Sequence, residues 1–405
     1  MSRTIRRPAI DRHLHRPNSL FGTLLMLLLT AMPILGQNEA VQQESRGGEP
    51  ALRPATPAII AAFDTYEVVG MSEAHGLQDA DDFILTLVRT PELLEKINDI
   101  VVECGNSLYQ PVLDRYIAGE DVPFAEVSKV WRNTTQLMCS TSGFFEQFFP
   151  LVRAINQKLA PGKRIRVLAG DPPVDWDNFK TQGLGDRFSR DRNIASVMEK
   201  EVLSKHRKAL MLFGYFHLMH ANVFDEMSAV SIYEKHYPNR TFVIAGLESL
   251  DMQSPLLSTS PYASWPAPSL MLAKGTWLGA IQLSHFTPPP VLVNDCVATS
   301  GFPQGEDRRM EDVVDAFLYL GPPSLALSER IPADIALDSA YMAELRRRAN
   351  LLAAAWMVPS DAQIVSGAEH PLLDVPKAPD NAFLRSLEKD CLEAKKKRDS
   401  KIPIP

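Results

Sequence analysis

The sequence predicts an α/β fold, with a mostly parallel or mixed central sheet and helices on both faces. Short runs rich in Val, Ile and Leu alternate with longer amphipathic stretches over residues 57–247. The runs are apolar throughout rather than at every second residue, which is typical of strands that are covered on both faces. With 45% hydrophobic and 22% charged residues among 405, the composition is that of a globular protein with a sizeable core.

Strands and helices alternate along the first half of the chain. The apolar runs predict strands at 66–71, 100–104, 164–169, 209–213 and 241–245. Between them, amphipathic patterns predict helices at 79–89, 110–118, 144–159 and 190–205. Farther along, a strand is predicted at 313–319 and a helix at 338–356, whereas the Ser-, Pro- and Gly-rich stretch 253–303 predicts an irregular insertion.

Residues 1–36 have the pattern of a secretory signal. Five arginines precede the apolar run 20–29, and small residues follow it. This run is shorter than the roughly 20 residues that span a bilayer, so no stable membrane span is expected after signal removal. The sequence therefore predicts export to the periplasm or outside the cell. The predicted parts are a signal at 1–36, a flexible linker at 37–56, a single α/β domain at 57–375 and a charged tail at 376–405.

The charge balance argues against a nucleic-acid partner. The formal charge of the whole chain is -7, and residues 1–36 hold five Arg and one Asp, so the remainder carries -11. A small molecule or a peptide is the expected substrate class. Four cysteines would allow two disulfides in an oxidising compartment, but none shows C-x-x-C spacing, so no zinc site is predicted from them.

Ionisable side chains follow the predicted strands, where a parallel sheet places its ligand crevice. Glu73 and His75 come after the first strand, Glu103 ends the second, and His217 follows the fourth. Buried ionisable groups cost several kcal/mol unless they are paired or bind a metal, so a cluster of them indicates a site. Taken singly, each has a structural interpretation as well: Glu103 could cap a helix, and His217 could be a hydrogen-bonded core residue.

Several familiar catalytic motifs are missing from the sequence. It has no phosphate-binding G-x-x-x-x-G-K-[ST], no G-x-G-x-x-G after a strand, no H-E-x-x-H and no G-x-S-x-G. Nucleotide-dependent chemistry and serine-esterase chemistry are therefore disfavoured.

The strand-end motifs resemble those of the erythromycin-esterase-like and haem-uptake Tiki (ChaN-like) superfamily. The resemblance covers roughly residues 57–247, with 315–321 as a last strand, and rests on these motifs: Gly70 with Glu73 and His75, Gly214 with His217, 102–107 as the acidic motif of the second strand, and Arg190-Asp191 opening a helix. The spacing Glu73-Ala74-His75 has one residue fewer than in the esterase-like members and matches the haem-uptake and Tiki side. The resemblance implies either water activation by a His/Glu pair, with or without a metal, or binding of haem or metal without catalysis.

Three functional hypotheses follow. In the first, a hydrolase uses His75 as general base, Glu73 or Glu103 to orient it, and His217 with Arg190 to stabilise an oxyanion. Its metal-assisted form has Glu73, His75 and His217 as ligands of a divalent transition ion. In the second, His75 or His217 is the axial ligand of haem. The third is an interaction protein without a working site.

Overall fold

Six neighbouring parallel strands form most of the main sheet. The computed structural model describes residues 47–179, 189–221, 228–247, 264–283, 291–293, 296–298, 308–352, 358–360 and 364. The eight strands of this sheet are β1 Arg53–Pro54, β2 Val68–Ser72, β3 Asp99–Asn106, β4 Arg166–Asp171, β5 Ala209–Phe213, β6 Thr241–Gly246, β7 Ser269–Leu272 and β10 Ala316–Tyr319, while β8 Val291–Val293 and β9 Cys296–Ala298 form a separate antiparallel pair. Their order in the sheet is β1-β7-β10-β6-β2-β5-β3-β4. All neighbours from β10 to β4 are parallel, and the pairs of β7 with β10 and β1 are antiparallel.

Helices cover both faces of the sheet, as predicted. They are α1 Ala55–Ala62, α2 Gln78–Val88, α3 Pro91–Lys96, α4 Gln110–Ala118, α5 Phe124–Val127, α6 Lys129–Arg132, α7 Gly143–Asn156, α8 Ser189–Val197, α9 Tyr215–Leu218, α10 Ala229–Tyr233, α11 Ala333–Leu337 and α12 Ser339–Leu351. No helix among the described residues is long and apolar enough to cross a membrane.

Strand β5 shows why its sequence is apolar at every position. Leu210 and Leu212 pack in one core cluster, together with four phenylalanines of α7. Ala209, Met211 and Phe213 pack in a second cluster on the opposite face, with residues of α8 and α10. Because successive side chains of a strand point to opposite faces, both faces of a central strand must be apolar. The predicted α/β fold is confirmed.

The predicted linker at 37–56 is wrong at its carboxyl end. Its part up to residue 46, the signal at 1–36 and the tail at 376–405 lie outside the described residues. Gly48 forms a bridge with Thr276, Arg53 and Pro54 pair with β7, and helix α1 begins at Ala55 rather than after Pro57. The sequence does not predict strand β1, because a strand of two residues shows no periodicity.

The predicted irregular insertion at 253–303 is also corrected in part. Within it, β7 joins the main sheet, and Leu278, Ile281 and Leu283 are buried in the core. The strand is only four residues long and follows Pro266 and Pro268, so its turn-like surroundings conceal it. Residues 253–263, 284–290, 294–295 and 299–303 lie outside the described residues.

Candidate active site

Parallel topology brings the predicted site residues to one edge of the sheet. β2 and β5 are neighbours, and β5 lies beside β3, so the segments that follow these strands are adjacent. Glu73 and His75 follow β2, Glu103 lies near the end of β3, and His217 is on α9 just after β5. The register between β3 and β4 shifts between Val102 and Asn106, so the backbone around Glu103 departs from the regular ladder.

Glu103 is the centre of the site. Its Oε1 lies 2.7 Å from Arg190 Nη2, 3.4 Å from His75 Nε2 and 3.6 Å from His217 Nε2. Its Oε2 accepts a 2.7 Å hydrogen bond from the backbone N–H of Gly214. The two Nε2 atoms are therefore no more than about 7 Å apart, and three predicted catalytic residues, His75, Arg190 and His217, approach the same carboxylate oxygen.

Each imidazole also has a carboxylate on its other nitrogen. His75 Nδ1 lies at ion-pair distance, 2.8 Å, from Glu73 Oε2, although without hydrogen-bond alignment. His217 Nδ1 lies 2.8 Å from Asp191 Oδ1, which also accepts a hydrogen bond from the N–H of Ala229. A carboxylate on Nδ1 fixes the ring orientation and directs Nε2 towards Glu103.

Charge around the site raises the pKa of both histidines. Burial alone would lower the pKa of His75, but the carboxylates of Glu73 and Glu103 raise it well above its usual value. Burial opposes the charged form of His217 too, yet the carboxylates around it raise its pKa to about 9. Burial alone would raise the pKa of Glu103, but the two imidazoles and the guanidinium hold it well below its usual value. The carboxylates around both imidazoles therefore favour their charged forms.

Three acids near the site were not assigned a role from the sequence. Asp171, the last residue of β4, is fully buried and accepts a 2.8 Å hydrogen bond from Arg190 Nε. Asp81 is buried on α2 with both carboxylate oxygens unpartnered within the described residues. Asp191 orients His217. The sequence does contain a signal that Asp81 is buried. Asp81 lies four residues before Leu85 and seven before Val88, on the apolar face of its helix.

The predicted metal ligands are brought together only in part. Ligand atoms of Glu73, His75 and Glu103 lie within 4.8 Å of one another, so Glu103 takes the place predicted for His217. This set does not fit a divalent cation, because Arg190 already donates to Glu103 Oε1 and Gly214 to Oε2. A metal ion on Glu103 would lie beside a guanidinium, and like charges repel strongly in a buried site.

The arrangement does not fit an axial haem ligand either. His75 Nε2 and His217 Nε2 both face Glu103 Oε1, and their Nδ1 atoms face Glu73 and Asp191. An iron on either Nε2 would have to displace Glu103, which Arg190 and Gly214 hold in place.

Comparison with known proteins gives distant structural likenesses only. No protein-family model and no curated protein sequence matches the chain. Solved structures that are similar to it include a Bacillus cereus protein (12% identity, 73% of this chain and 99% of that one, TM-score 0.45) and the erythromycin esterase EreC in its open conformation (10%, 65% and 92%, 0.42). Haem-binding ChaN of Campylobacter jejuni is a third (12%, 49% and 91%, 0.29). An esterase and a haem-binding protein are thus both among the solved structures that are similar to this chain.

Proposed function

We propose that this chain is an exported hydrolase that activates water at the cluster around Glu103. One observation carries the proposal: two imidazoles and a guanidinium, from three separate segments of the chain, converge on one buried carboxylate oxygen. Each of the three side chains keeps some solvent exposure, between 15% and 19%, whereas Glu103 is 1% exposed. Activation of water requires a base and hydrogen-bond donors that solvent can reach and that are held in place. Here the buried Glu103 holds them.

His75 is the proposed general base. Its Nε2 lies 3.4 Å from Glu103 Oε1, and a contact of this length is weak enough for a water molecule to replace it. Its Nδ1 lies 2.8 Å from the carboxylate of Glu73. In the proposed reaction, Nε2 takes a proton from water as the oxygen attacks the electrophilic atom of the ester, and the same proton then passes to the leaving alkoxide. Arg190 and His217 donate to the developing oxyanion. The products are an acid and an alcohol.

Export rests on the pattern of residues 1–36 and has support from a disulfide. Cys104, the residue after Glu103, is bonded to Cys139. Disulfides of this kind persist in oxidising compartments. Cell fractionation with an antibody to the folded domain tests this part of the proposal, and retention of the full-length chain in the cytoplasm would contradict it.

A screen of chromogenic carboxylate, phosphate and sulfate esters tests the proposed activity. We expect His75→Gln to lower kcat/KM at least about 100-fold, because the base is gone. Since the neighbouring carboxylates raise the pKa of His75 and so favour its protonated form, the wild-type rate should rise with increasing pH as the ring loses its proton. In Glu73→Gln, the increase in rate should occur at lower pH. The neutral amide no longer stabilises the imidazolium form of His75, so the pKa of His75 falls.

His236→Gln is the matched control for the screen. His236 is 71% exposed, and its Nδ1 also pairs with a carboxylate, Glu199, at 2.8 Å. The control should retain wild-type activity. A wild-type chain that hydrolyses no ester in the panel, or a His75→Gln variant as active as the wild type, would contradict the proposal.

Haem or metal binding without turnover has less support. Each of the nitrogens that would ligate iron faces Glu103, and Glu103 is held by a guanidinium and a backbone N–H. No observation on the described residues favours this second function over hydrolysis.

A further inference from the structure

The polar contacts of the His75 side chain hold it only weakly. Its Nε2 lies 3.4 Å from Glu103 Oε1, beyond the usual N–H···O optimum of about 2.9–3.0 Å. Its Nδ1 lies 2.8 Å from Glu73 Oε2, but without the alignment of a hydrogen bond. The position of this imidazole therefore depends on how the backbone of residues 73–77, the His75 loop, is held.

Segment 327–329, far away in sequence, holds the His75 loop by its backbone. The N–H of Glu329 donates to Gly76 O at 2.9 Å. Just after the loop, the N–H of Gln78 donates to Leu327 O at 2.9 Å. Gly76 has a φ of +85°, a conformation that glycine adopts without steric cost, and the bond from Glu329 holds the carbonyl of this turn.

A side-chain hydrogen bond and a small apolar cluster add to these backbone contacts. Asp79 Oδ2 accepts a 2.7 Å hydrogen bond from the N–H of Leu327. Leu77, Ala80 and Ala326 are buried together. The first turn of α2 and the segment are thus joined by both polar and apolar contacts.

The side chain of Glu329 joins the same segment to helix α7. Its Oε1 accepts 2.7 Å from Ser142 Oγ and 2.8 Å from the N–H of Phe144, at the amino end of the helix. A Cβ at Gly143 would lie 2.9 Å from Arg330 O, so the two backbones approach each other closely here. Removal of the Glu329 carboxylate would take the shared acceptor from both donors.

The chain of contacts continues from Glu329 to Glu103. The N–H of Ser142 donates to Cys139 O at 3.3 Å. Cys139 is bonded to Cys104, the residue after Glu103. Segment 327–329 therefore lies between the loop of the general base and the strand of the central carboxylate.

We propose that Glu329 is a positioning residue of the hydrolase site, which fixes the His75 loop relative to Glu103. It acts through the loop and not on the reacting atoms. This inference rests on the proposed function for its effect on rate, whereas the hold on the loop can be measured without turnover. Because the contacts run through Oε1, an amide oxygen at this place should replace the carboxylate, and a methyl group should not.

Kinetics of Glu329→Ala and Glu329→Gln in the full chain test the effect on rate, with an ester that the wild type hydrolyses. We expect Glu329→Ala to lower kcat at least about tenfold and to change KM less than about twofold, because a displaced base slows the reaction more than it weakens binding. Glu329→Gln keeps an acceptor oxygen and should retain at least about half of the wild-type kcat. An alanine variant as active as the wild type, or a glutamine variant as slow as the alanine variant, would overturn the proposal.

Amide hydrogen exchange of the same variants measures the hold on the loop. In Glu329→Ala, the N–H of Gln78 should exchange at least about tenfold faster than in the wild type, because its acceptor segment is loosened. Ser142→Ala removes one donor to Glu329 and should give a smaller increase, which keeps the test available if Glu329→Ala does not fold. Exchange at Gln78 that is unchanged in every folded alanine variant would overturn the proposal.

Glu311→Ala is the matched control. Glu311 Oε2 accepts 2.7 Å from the N–H of Gly275, and its own N–H donates 2.9 Å to Gly279 O, so it joins two segments as Glu329 does. These contacts follow β7, which runs antiparallel to β10, so they lie at the opposite end of the sheet from the site. The control should keep the wild-type kcat and the wild-type exchange at Gln78. A loss of kcat equal to that of Glu329→Ala would overturn the proposal.

The two proposals can fail separately. If the wild type hydrolyses no ester, the hydrolase proposal fails, and exchange at Gln78 alone decides whether Glu329 holds the His75 loop. If the wild type hydrolyses esters and Glu329→Ala is as active, the positioning role fails while the hydrolase proposal stands.

Discussion

Hydrogen bonds and nearby positively charged side chains stabilise the buried carboxylate of Glu103. A carboxylate buried this deeply costs several kcal/mol unless it is paired and hydrogen-bonded. Arg190 and Gly214 supply two short hydrogen bonds, and the two imidazoles supply charge at longer range. The contacts that keep Glu103 ionised also hold His75, Arg190 and His217 in one arrangement around it. A fixed arrangement of such groups is a condition for catalysis.

Asp81 is the opposite case, a buried acid kept neutral. Burial, with the nearby carboxylates of Glu329 and Glu73, raises its pKa to about 10 from 3.8. At pH values between 3.8 and about 10, Asp81 keeps its proton in the folded chain but has lost it in the unfolded chain. Stability should therefore fall as pH rises across this window, because deprotonation favours the unfolded state.

Asp81→Asn should remove this dependence. We expect the variant to be more stable than the wild type, with a gain that grows from pH 5 to pH 8 by at most about 1.4 kcal/mol per pH unit. Urea denaturation at both pH values measures it. Asp82→Asn, next to it on α2 and exposed, is the control and should change stability by less than about 0.5 kcal/mol at either pH. Equal gains for Asp81→Asn at pH 5 and pH 8 would mean that Asp81 is ionised in the folded protein.

At the scale of elements, side-chain amides occupy the outer edge of β4. As the last strand of the sheet, β4 has one side without a strand partner in the described structure. Gln110 accepts from Ala169 N at 2.8 Å and donates to Val167 O at 2.9 Å. Asn156 does the same for both backbone groups of Ile165. These bonds satisfy an edge that would otherwise be open to pairing with another chain.

Loss of the Gln110 amide should expose this edge. Gln110→Ala leaves Ala169 N–H and Val167 C=O unpaired, so we expect a loss of about 1–2 kcal/mol and faster amide hydrogen exchange at Ala169. Gln110→Glu keeps the acceptor and should protect Ala169 better than alanine does. Gln78→Ala is the matched control, because Gln78 likewise starts a helix and donates to an Asp four residues on. Unchanged exchange at Ala169 in Gln110→Ala would show that the amide does not protect the edge.

At the scale of the molecule, the sheet topology creates the site. Glu73, Glu103, Arg190 and His217 are far apart in sequence, and adjacency of β2, β5 and β3 brings their segments together. This much could be predicted from sequence, because apolar runs mark parallel strands and the residues after them must share an edge. The identity of Glu73, His75, Glu103 and His217 follows from that rule, whereas Arg190 was singled out by the family resemblance.

Other features depend on distances that no local pattern contains. The Cys104–Cys139 disulfide needs two segments whose Cα atoms are 5.5 Å apart, and neither spacing nor composition reveals that. β7 has four residues, too few for a period to stand out. The raised pKa of His217 comes from Glu103 and Asp191, whose positions around the ring are set by tertiary packing.

Histidine side-chain NMR titration of the wild type and Glu103→Gln tests the central claim, that one buried carboxylate organises both imidazoles. If it does, the neutral amide should lower the pKa of His75 and of His217 together, because each loses the same negative charge, while the pKa of exposed His236 stays where it was. A Glu103→Gln protein that is folded, yet in which only one of the two histidines shifts or neither does, would contradict the account.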